Sequence, residues 1–429
     1  MSRAMKESGI PWIPVIPSGW EVEKGKNILS LQKRPVRDTD EVVTCFRDGE
    51  VVLRSERRTD GFTMSDKEIG YQGINKGDIV IHGMDGFAGS MGVSKSTGKG
   101  SPVLVVCTPK YDAVPQYLIY YLRVLAQMNV FVALATGIRE RSCDLRWNKI
   151  ADLQFIMPST EEQQKIADFI DSKCGEIDEA IALQEEFIEE LKAYKQSVIT
   201  EAVTRGLNPN VKLKDSGIDW IGQIPQGWEE TKVLNLLSMP ITDGPHETPK
   251  LYDKGIPFIS ADAVSDGYIN FENKRGYISE EYYLECCKKY TPQKGDIYMI
   301  KSGASTGRTA IVETDMIFTI WSPLAVFRVN PTYLYERFLL YVLRSDGFQK
   351  QVENKWTYGT QQNIGMRALE RLIVSYPTLK EQRQIADYLD DKCTEIDNLI
   401  AIKQQKIEEL KDYKKSIIYE YVTGKKEVK

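Results

Sequence analysis

The 429-residue sequence is poor in histidine and cysteine and has no long apolar run. Its two histidines, His82 and His246, lack a Cys/His cluster, which argues against a zinc site. The seven cysteines are odd in number and lack CxxC spacing, and adjacent Cys286 and Cys287 would strain to pair. Free thiols in a reducing cytoplasm are expected. No stretch approaches the ~20 apolar residues that span a bilayer. The opening MSRAMKESGIPWIP has no signal-peptide core. Excess positive charge is also missing, since the net charge is −5. Residues 1–158 carry 21 basic and 18 acidic groups, and residues 159–206 carry 5 and 12. Residues 207–377 carry 19 and 20, and residues 378–429 carry 11 of each. Phosphate neutralisation supplies most non-specific nucleic-acid affinity. Any DNA contact must therefore use local patches.

What is present is a repeat, which is sought first because missing it miscalls a fold. SGIPWIPVIPSGWEVEK at Ser8–Lys24 returns as SGIDWIGQIPQGWEETK at Ser216–Lys232. EEQQKIADFIDSKCGEID at Glu161–Asp178 returns as KEQRQIADYLDDKCTEID at Lys380–Asp397. Between these blocks the two copies barely agree. Shared scaffold with divergent inserts points to two related domains doing one job on two objects.

Each half ends in a long helix. Ile166, Ile170, Ile177, Ile181, Ile188, Leu191, Val198 and Ala202 step mostly by three and four. Ile385, Leu389, Ile396, Ile400, Ile407, Leu410, Ile417 and Tyr421 repeat that stripe, with Cys174 and Cys393 matched in the seam. This is heptad spacing. Ser159, Thr160 and Thr378 are candidate caps, and Gly206 and Gly424 are candidate stops. About 46 residues give a helix on the order of 70 Å. One apolar stripe of that length needs a partner, and the other copy carries a matching one. The simplest closed arrangement is an antiparallel pair with the globular regions at opposite ends, so that one chain imitates a two-fold dimer. Strands are expected at Asp78–His82, Val103–Cys107, Asp296–Ile300, Ile317–Ile320 and Ala325–Val329. Short helices are expected at Pro115–Leu125 and Leu334–Leu343. Trp20/Trp228 and Trp12/Trp220 recur with the scaffold and read as core or helix-docking anchors.

Several segments carry candidate chemistry. Asp243–Gly267 is a turn-rich entry to a strand, and His246 sits there among carboxylates without an evident nucleophile. A structural or DNA-facing loop suits it better than acid–base catalysis. Lys76–Ser94 matches Lys294–Val312: a Lys-Gly-Asp turn, a strand and a glycine-rich loop. Neither copy is a P-loop and neither has GxGxxG. The loops suit close approach to a DNA groove or an ordinary hairpin. Arg139 and Arg141 lie opposite Gln361, Gln362 and Asn363 in the repeat. Arginine reads guanine, and glutamine or asparagine reads adenine, in the major groove. The alternative is a solvated surface loop. Arg54, Arg57 and Arg58 form a basic patch that suits phosphate or plain solvation. Lys95, Lys99, Lys301, Arg308 and Tyr358 complete the candidate DNA contacts.

In order and twice over, these blocks resemble the specificity subunit of type I restriction–modification enzymes. The carrying segments are WIGQIPQGWE at Trp220–Glu229, DGPHETP followed by GIPFIS within Asp243–Ser260, and KSG at Lys301–Gly303. GTQQNIG at Gly359–Gly365 and the two helix blocks at Pro158–Ile181 and Pro377–Ile400 complete the set. The first half has no clear DGxHxTP or GTQQ. The resemblance covers essentially the whole chain. It implies an α+β fold with an internal pseudo-two-fold repeat. Two mixed α/β target recognition domains, 1–158 and 207–377, would be separated by two long helices, 159–206 and 378–429, forming an antiparallel coiled coil. It also implies that each domain reads one half of a split DNA site, and that the helices set the spacing and dock two methyltransferase subunits. S-adenosylmethionine, ATP and magnesium would be used by those subunits and by restriction subunits, and none by this chain. No (Asp/Asn)-Pro-Pro-(Tyr/Phe) methyltransferase motif and no Walker A is present. A stand-alone methyltransferase or nuclease, a coiled-coil DNA-binding scaffold, and the specificity subunit of a two-subunit system without translocation are the alternatives.

Overall fold

The two long helices span Thr160–Arg205 and Leu379–Val422 in a computed structural model of the chain, which describes residues 3–57, 69–134, 145–218, 221–358 and 362–428. Ser159 Oγ accepts from the Glu162 amide at 3.3 Å, and Thr378 Oγ1 from the Glu381 amide at 3.5 Å. These caps satisfy amides that the first helical turn leaves open. Just past the helix ends, Gly206 and Gly424 have φ of +73° and +71°. That left-handed conformation ends a helix at little cost only for glycine. In the seams Ile170, Ile177, Ile188, Val198, Leu389, Ile396, Ile407 and Ile417 are buried. Ile181, Leu191, Ile400 and Leu410 are half-buried. Each fully buried Ile or Leu contributes about 1.5–3 kcal/mol.

The chain divides into two compact units, Met1–Glu185 with Gln405–Lys429, and Glu186–Gln404. The expected segments 1–158, 159–206, 207–377 and 378–429 set each long helix apart from the globular regions. Each compact unit includes part of both helices, whose apolar stripes pack in its core. In unit 1, Ile166, Ala167, Ile170 and Cys174 pack in one cluster with Ile418, Val422, Trp20 and Tyr117. In unit 2, Val198, Ile199, Ala202 and Val203 pack with Ile385, Leu389, Trp228 and Phe338.

Unit 1 contains β1 (Glu21–Lys24), β2 (Leu29–Leu31), β3 (Ile79–His82), β4 (Met91–Val93), β5 (Leu104–Pro109) and β6 (Gln154–Met157). An antiparallel sheet runs in the order β2, β5, β3, β4, and β1 pairs with β6. The helix Pro115–Gln127 is buried along most of its length. Its two long-helix segments run antiparallel: Asp178 takes Lys414 at 2.6 Å, and the Phe169 and Tyr421 rings lie 4.4 Å apart.

Unit 2 contains β7 (Glu229–Lys232), β8 (Thr242–Asp243), β9 (Ile256–Ile259), β10 (Gly267–Tyr268), β11 (Gly276–Ile278) and β12 (Ile297–Ile300). It continues with β13 (Thr309–Ile311), β14 (Thr319–Ile320), β15 (Leu324–Phe327), β16 (Thr357–Tyr358), β17 (Gln362–Asn363) and β18 (Ile373–Tyr376). One sheet runs β8, β15, β12, β13, β10, and a second runs β11, β9, β14. β7 pairs with β18. The helix Glu336–Arg344 corresponds to Pro115–Gln127. Here too the long-helix segments run antiparallel, with Lys195 on Asp397 at 2.8 Å and Lys403 over the Phe187 ring at 4.9 Å. The expected strands and short helices all occur, shifted at their ends by up to two residues.

The repeat holds at the level of single hydrogen bonds. Trp20 donates to Glu162 at 2.9 Å, and Trp228 to Glu381 at 3.3 Å. Gln163 Oε1 accepts the Val114 amide at 2.9 Å, and Gln382 Oε1 the Tyr335 amide at 2.8 Å. Tyr120 donates to Asp171, and Tyr341 to Asp390. The matched Asp78 and Asp296 each bind an arginine through both oxygens, but from unmatched positions, Arg34 and Arg328. Trp20 and Trp228 are therefore helix-docking anchors as well as core. Trp220 lies outside the described residues. The six described cysteines are free, and Cys174 and Cys393 are buried in the seams. Among the described residues no helix is long and apolar enough to cross a membrane, and no group of three His, Cys, Asp or Glu could hold a metal.

Candidate nucleic-acid interface

Three segments of unit 2 meet at one end of its larger sheet. β8 ends at Asp243, β12 runs into Lys301-Ser302-Gly303, and β17 carries Gln362 and Asn363. Backbone bonds join them: Gly303 N donates to Gln362 O at 3.0 Å, Ile364 N to Lys301 O at 2.9 Å, and Ser322 N to Pro245 O at 3.0 Å. Gly244 lies so close to β14 that a Cβ would fall 2.1 Å from Ile320 O, so only glycine fits after Asp243. The DGPHETP and KSG motifs and the Gln362–Asn363 strand, up to 120 residues apart in sequence, thus form one site.

Asp243 is its electrostatic centre. Its side chain is 1% exposed. Lys289 Nζ donates to Oδ1, while Lys301 Nζ and His246 Nε2 both lie 3.2 Å from Oδ2. Burial pushes the carboxyl up, but the two ammonium groups outweigh it and hold it below the usual carboxylate range. A cleft of about 400 Å³ opens beside it, lined by His246, Tyr282, Cys286, Lys289 and Thr319. Nearby, Arg275 stacks 3.8 Å over the Trp321 ring, whose Nε1 donates to Glu247 O at 3.2 Å. Lys250 over Tyr252 and Lys274 over Tyr277, each at 5.2 Å, add further cation–aromatic pairs.

Ser322, His246 and Asp243 stand in the order of a hydrolytic triad, with Ser322 Oγ 3.0 Å from His246 Nδ1. The charge balance argues against that chemistry. A triad aspartate stabilises the imidazolium that forms as serine is deprotonated. Here two lysines already share the carboxylate that would play that part.

Unit 1 offers a different face at the matched place. Leu104 pairs with His82 on β3, as Leu324 pairs with Ile300 on β12. In that register Gly83 stands where unit 2 has Lys301. Gly83 N donates to Val103 O and Leu145 N to Gly83 O, both at 2.9 Å, and Lys301 makes the same pair of bonds with Pro323 and Ile364. Extending β2 along β5 by the same count puts Lys33 at the position of Asp243, since Gln32 N donates to Val106 O and Thr242 pairs with Val326. A groove of about 900 Å³ runs here, lined by Gln32, Lys33, Arg34, Tyr71, Gln72 and Arg146.

The remaining sequence-derived candidates are placed as follows. Arg57 is not an open phosphate contact: it pairs with Asp48 and, at 3.1 Å, with Glu50, and stacks 4.3 Å over Phe46. Its hydrogen bond to Asp48 holds that carboxyl below its usual range. Lys95 also binds Glu50, at 2.9 Å, and Arg54 Nε reaches Thr44 at 3.1 Å. The acids of the Asp48–Glu50 turn, read past in the sequence, account for this neutralisation. Lys99 sits in a strand opposite Gly73. Arg308 is exposed, with no ion pair among the described residues. His246 and Lys301 join Gln362 and Asn363 as described, and Tyr358 pairs in strand register with Gln362. Arg58, Arg139, Arg141 and Gln361 lie outside the described residues. Asp243, Lys289 and Lys33 were missed as site residues. The one available signal was a lysine at 301 whose repeat partner is glycine, because a lysine beside a buried strand end needs a counter-charge.

The family model for the type I restriction modification DNA specificity domain matches residues 227–412. The chain is 26% identical over 428 residues to the type I restriction enzyme MjaVIII specificity subunit of Methanocaldococcus jannaschii, covering 96% of this chain and 94% of the relative. It is 28% identical over 244 residues to the EcoBI specificity subunit of Escherichia coli, covering 55% and 50%. In fold it is similar to a chain of a structure described as complex assembly and conformational transition of the type I R-M system (TM-score 0.68, 16% identity, covering 95% and 99%). It is also similar to the HsdS subunit from Thermoanaerobacter tengcongensis (TM-score 0.52, 16% identity, covering 95% and 98%).

Proposed function

We propose that this chain, which belongs to the type I restriction–modification specificity-subunit family, reads a bipartite, asymmetric DNA target, one half with each unit. It is a non-catalytic DNA-recognition subunit that assembles with other subunits. The observation that supports the bipartite reading is matched anchors around unmatched faces. The Trp–Glu, Gln–amide and Tyr–Asp bonds recur in both units, while Lys33 and Gly83 in one stand where Asp243 and Lys301 stand in the other. Two like partners need the repeated part, and two unlike half-sites need the divergent part.

In this reading two methyltransferase subunits dock on the repeated helical frame, and restriction subunits join through them. S-adenosylmethionine, ATP and magnesium act on those subunits. Gln362, Asn363 and the Asp243 cluster face the major groove for unit 2, and the Gln32–Arg34 groove does so for unit 1. Half-site centres lie about one helical turn apart, ~34–36 Å.

The test is methylation mapping with the chain assembled with its methyltransferase subunit, before and after residues 207–377 are exchanged for those of a relative. One half-site should change and the other persist. A change in both, or in neither, refutes the reading.

A further inference from the structure

We propose that Asp243 is a positioning residue for sequence discrimination: its buried carboxylate holds Lys289 and Lys301, the latter bonded through its backbone to the segment that carries Gln362, and so fixes the side chains with which unit 2 meets DNA. This rests on the DNA-recognition reading above and assigns a device within it.

The geometry gives the reason. The Lys301 side chain is only 13% exposed and its ammonium lies against Asp243. An ammonium this far from water needs a counter-charge, or it swings out to solvent. Its backbone is meanwhile the acceptor for Ile364 N, and Gly303 N donates to Gln362 O. The Asp243 contact therefore holds both Lys301 and the β17 strand that depends on it. Bidentate reading of a base edge tolerates little looseness in the reading side chain. Lys289 donates to the other oxygen of the same carboxylate, so one anion holds two lysines.

The repeat sharpens the inference. Unit 1 has Lys33 and Gly83 at the two matched positions, so it has neither the acid nor the lysine that the acid would hold. Position 243 should thus govern one half-site only.

A plain charge argument predicts something else. Asp243→Asn removes a negative charge from a face that meets phosphates, and by itself would tighten binding to all DNA alike. Positioning predicts a loss of discrimination instead. The experiment uses the chain assembled with its methyltransferase subunit, acting on a library randomised at both half-sites. Asp243→Asn should lower discrimination at the unit 2 half-site at least ten-fold, leave the unit 1 half-site unchanged, and leave non-specific affinity equal or slightly higher. Lys301→Met should relax the same half-site. The double variant should be no worse than the worse single, because both remove one contact, and Asp243→Glu should restore part of the preference. Unchanged preference in Asp243→Asn overturns the proposal, as does equal decay at both half-sites or additive loss in the double variant. A wild-type assembly without any sequence preference would sink the DNA-recognition reading itself.

Discussion

Gly206 and Gly424 hold the same place in the two repeats, and the structure predicts that they tolerate a methyl group differently. Both have left-handed φ, +73° and +71°, which costs alanine about 1–2 kcal/mol. The surroundings then separate them. A Cβ on Gly424 would lie 2.4 and 2.5 Å from Cγ and Cδ of Pro17 and 3.0 Å from the Trp20 ring. Neither ring can bend aside, so overpacking adds about 1–3 kcal/mol. A Cβ on Gly206 would lie 3.1 Å from Glu381 Oε1, the far end of a flexible side chain held by a long 3.3 Å bond from Trp228, and 3.3 Å from the Trp228 ring. Small shifts accommodate it. Gly206→Ala should therefore cost about 1–2 kcal/mol and Gly424→Ala about 2–5 kcal/mol. The assay is urea unfolding followed by hydrogen exchange in peptides of each unit, since a chain of two units need not unfold in one step. Gly424→Ala should weaken protection around Trp20, and Gly206→Ala around Trp228. Equal destabilisation, or a greater cost at Gly206, would refute the packing argument.

Three further outcomes are expected. The Asp243 carboxyl titrates below its unfolded value, so its contribution to stability is present above about pH 4 and is lost as pH falls through the folded value. Asp243→Asn should remove that part of the acid limb in urea midpoints taken between pH 6 and pH 3, and parallel curves for the two proteins would contradict it. Burial pushes Cys45 and Cys107 up to about 12, and among the described cysteines only Cys287 is not buried. Iodoacetamide at pH 8 should label Cys287 well before Cys107 by mass spectrometry, and matched rates would be inconsistent with the packing. Arg57→Ala should leave the salt dependence of DNA affinity unchanged, because Asp48 and Glu50 already hold that guanidinium. Loss of a true phosphate contact lowers the slope by about 0.9, and such a drop in Arg57→Ala would restore the phosphate role.

The helices were legible because heptad spacing, caps and glycine stops are local, and local rules place Ile170 or Leu389 without knowledge of the rest of the fold. The short strands and the helices at Pro115 and Glu336 were legible for the same reason. The site was legible only in pieces. His246, Lys301, Gln362 and Asn363 were each found as motif members, but that Lys301 turns inward to Asp243 follows from strand pairings between residues far apart in sequence. That Arg57 is already paired follows from a similar cause. Its neutralising acids sit in the turn at Asp48–Glu50, and the cross-turn geometry that joins them cannot be read from the run LRSERR.

A chain with net charge −5 cannot rely on bulk attraction to find DNA. Its recognition must rest on side chains set in advance, and the charge pattern of the two faces fits that demand. In unit 2 the cations are not simply displayed; Lys289 and Lys301 share one buried anion, which lowers their net field while fixing where they point. In unit 1 the matched acid is replaced by Lys33, and Arg34 alongside is held by Asp78. One face thus orders its cations around a shared carboxylate and the other carries a lysine in that carboxylate's place. The charge at this matched strand position is inverted between the units, while the Trp–Glu and Gln–amide bonds that hold each unit to its helices are the same in both, so the frame and the face vary independently.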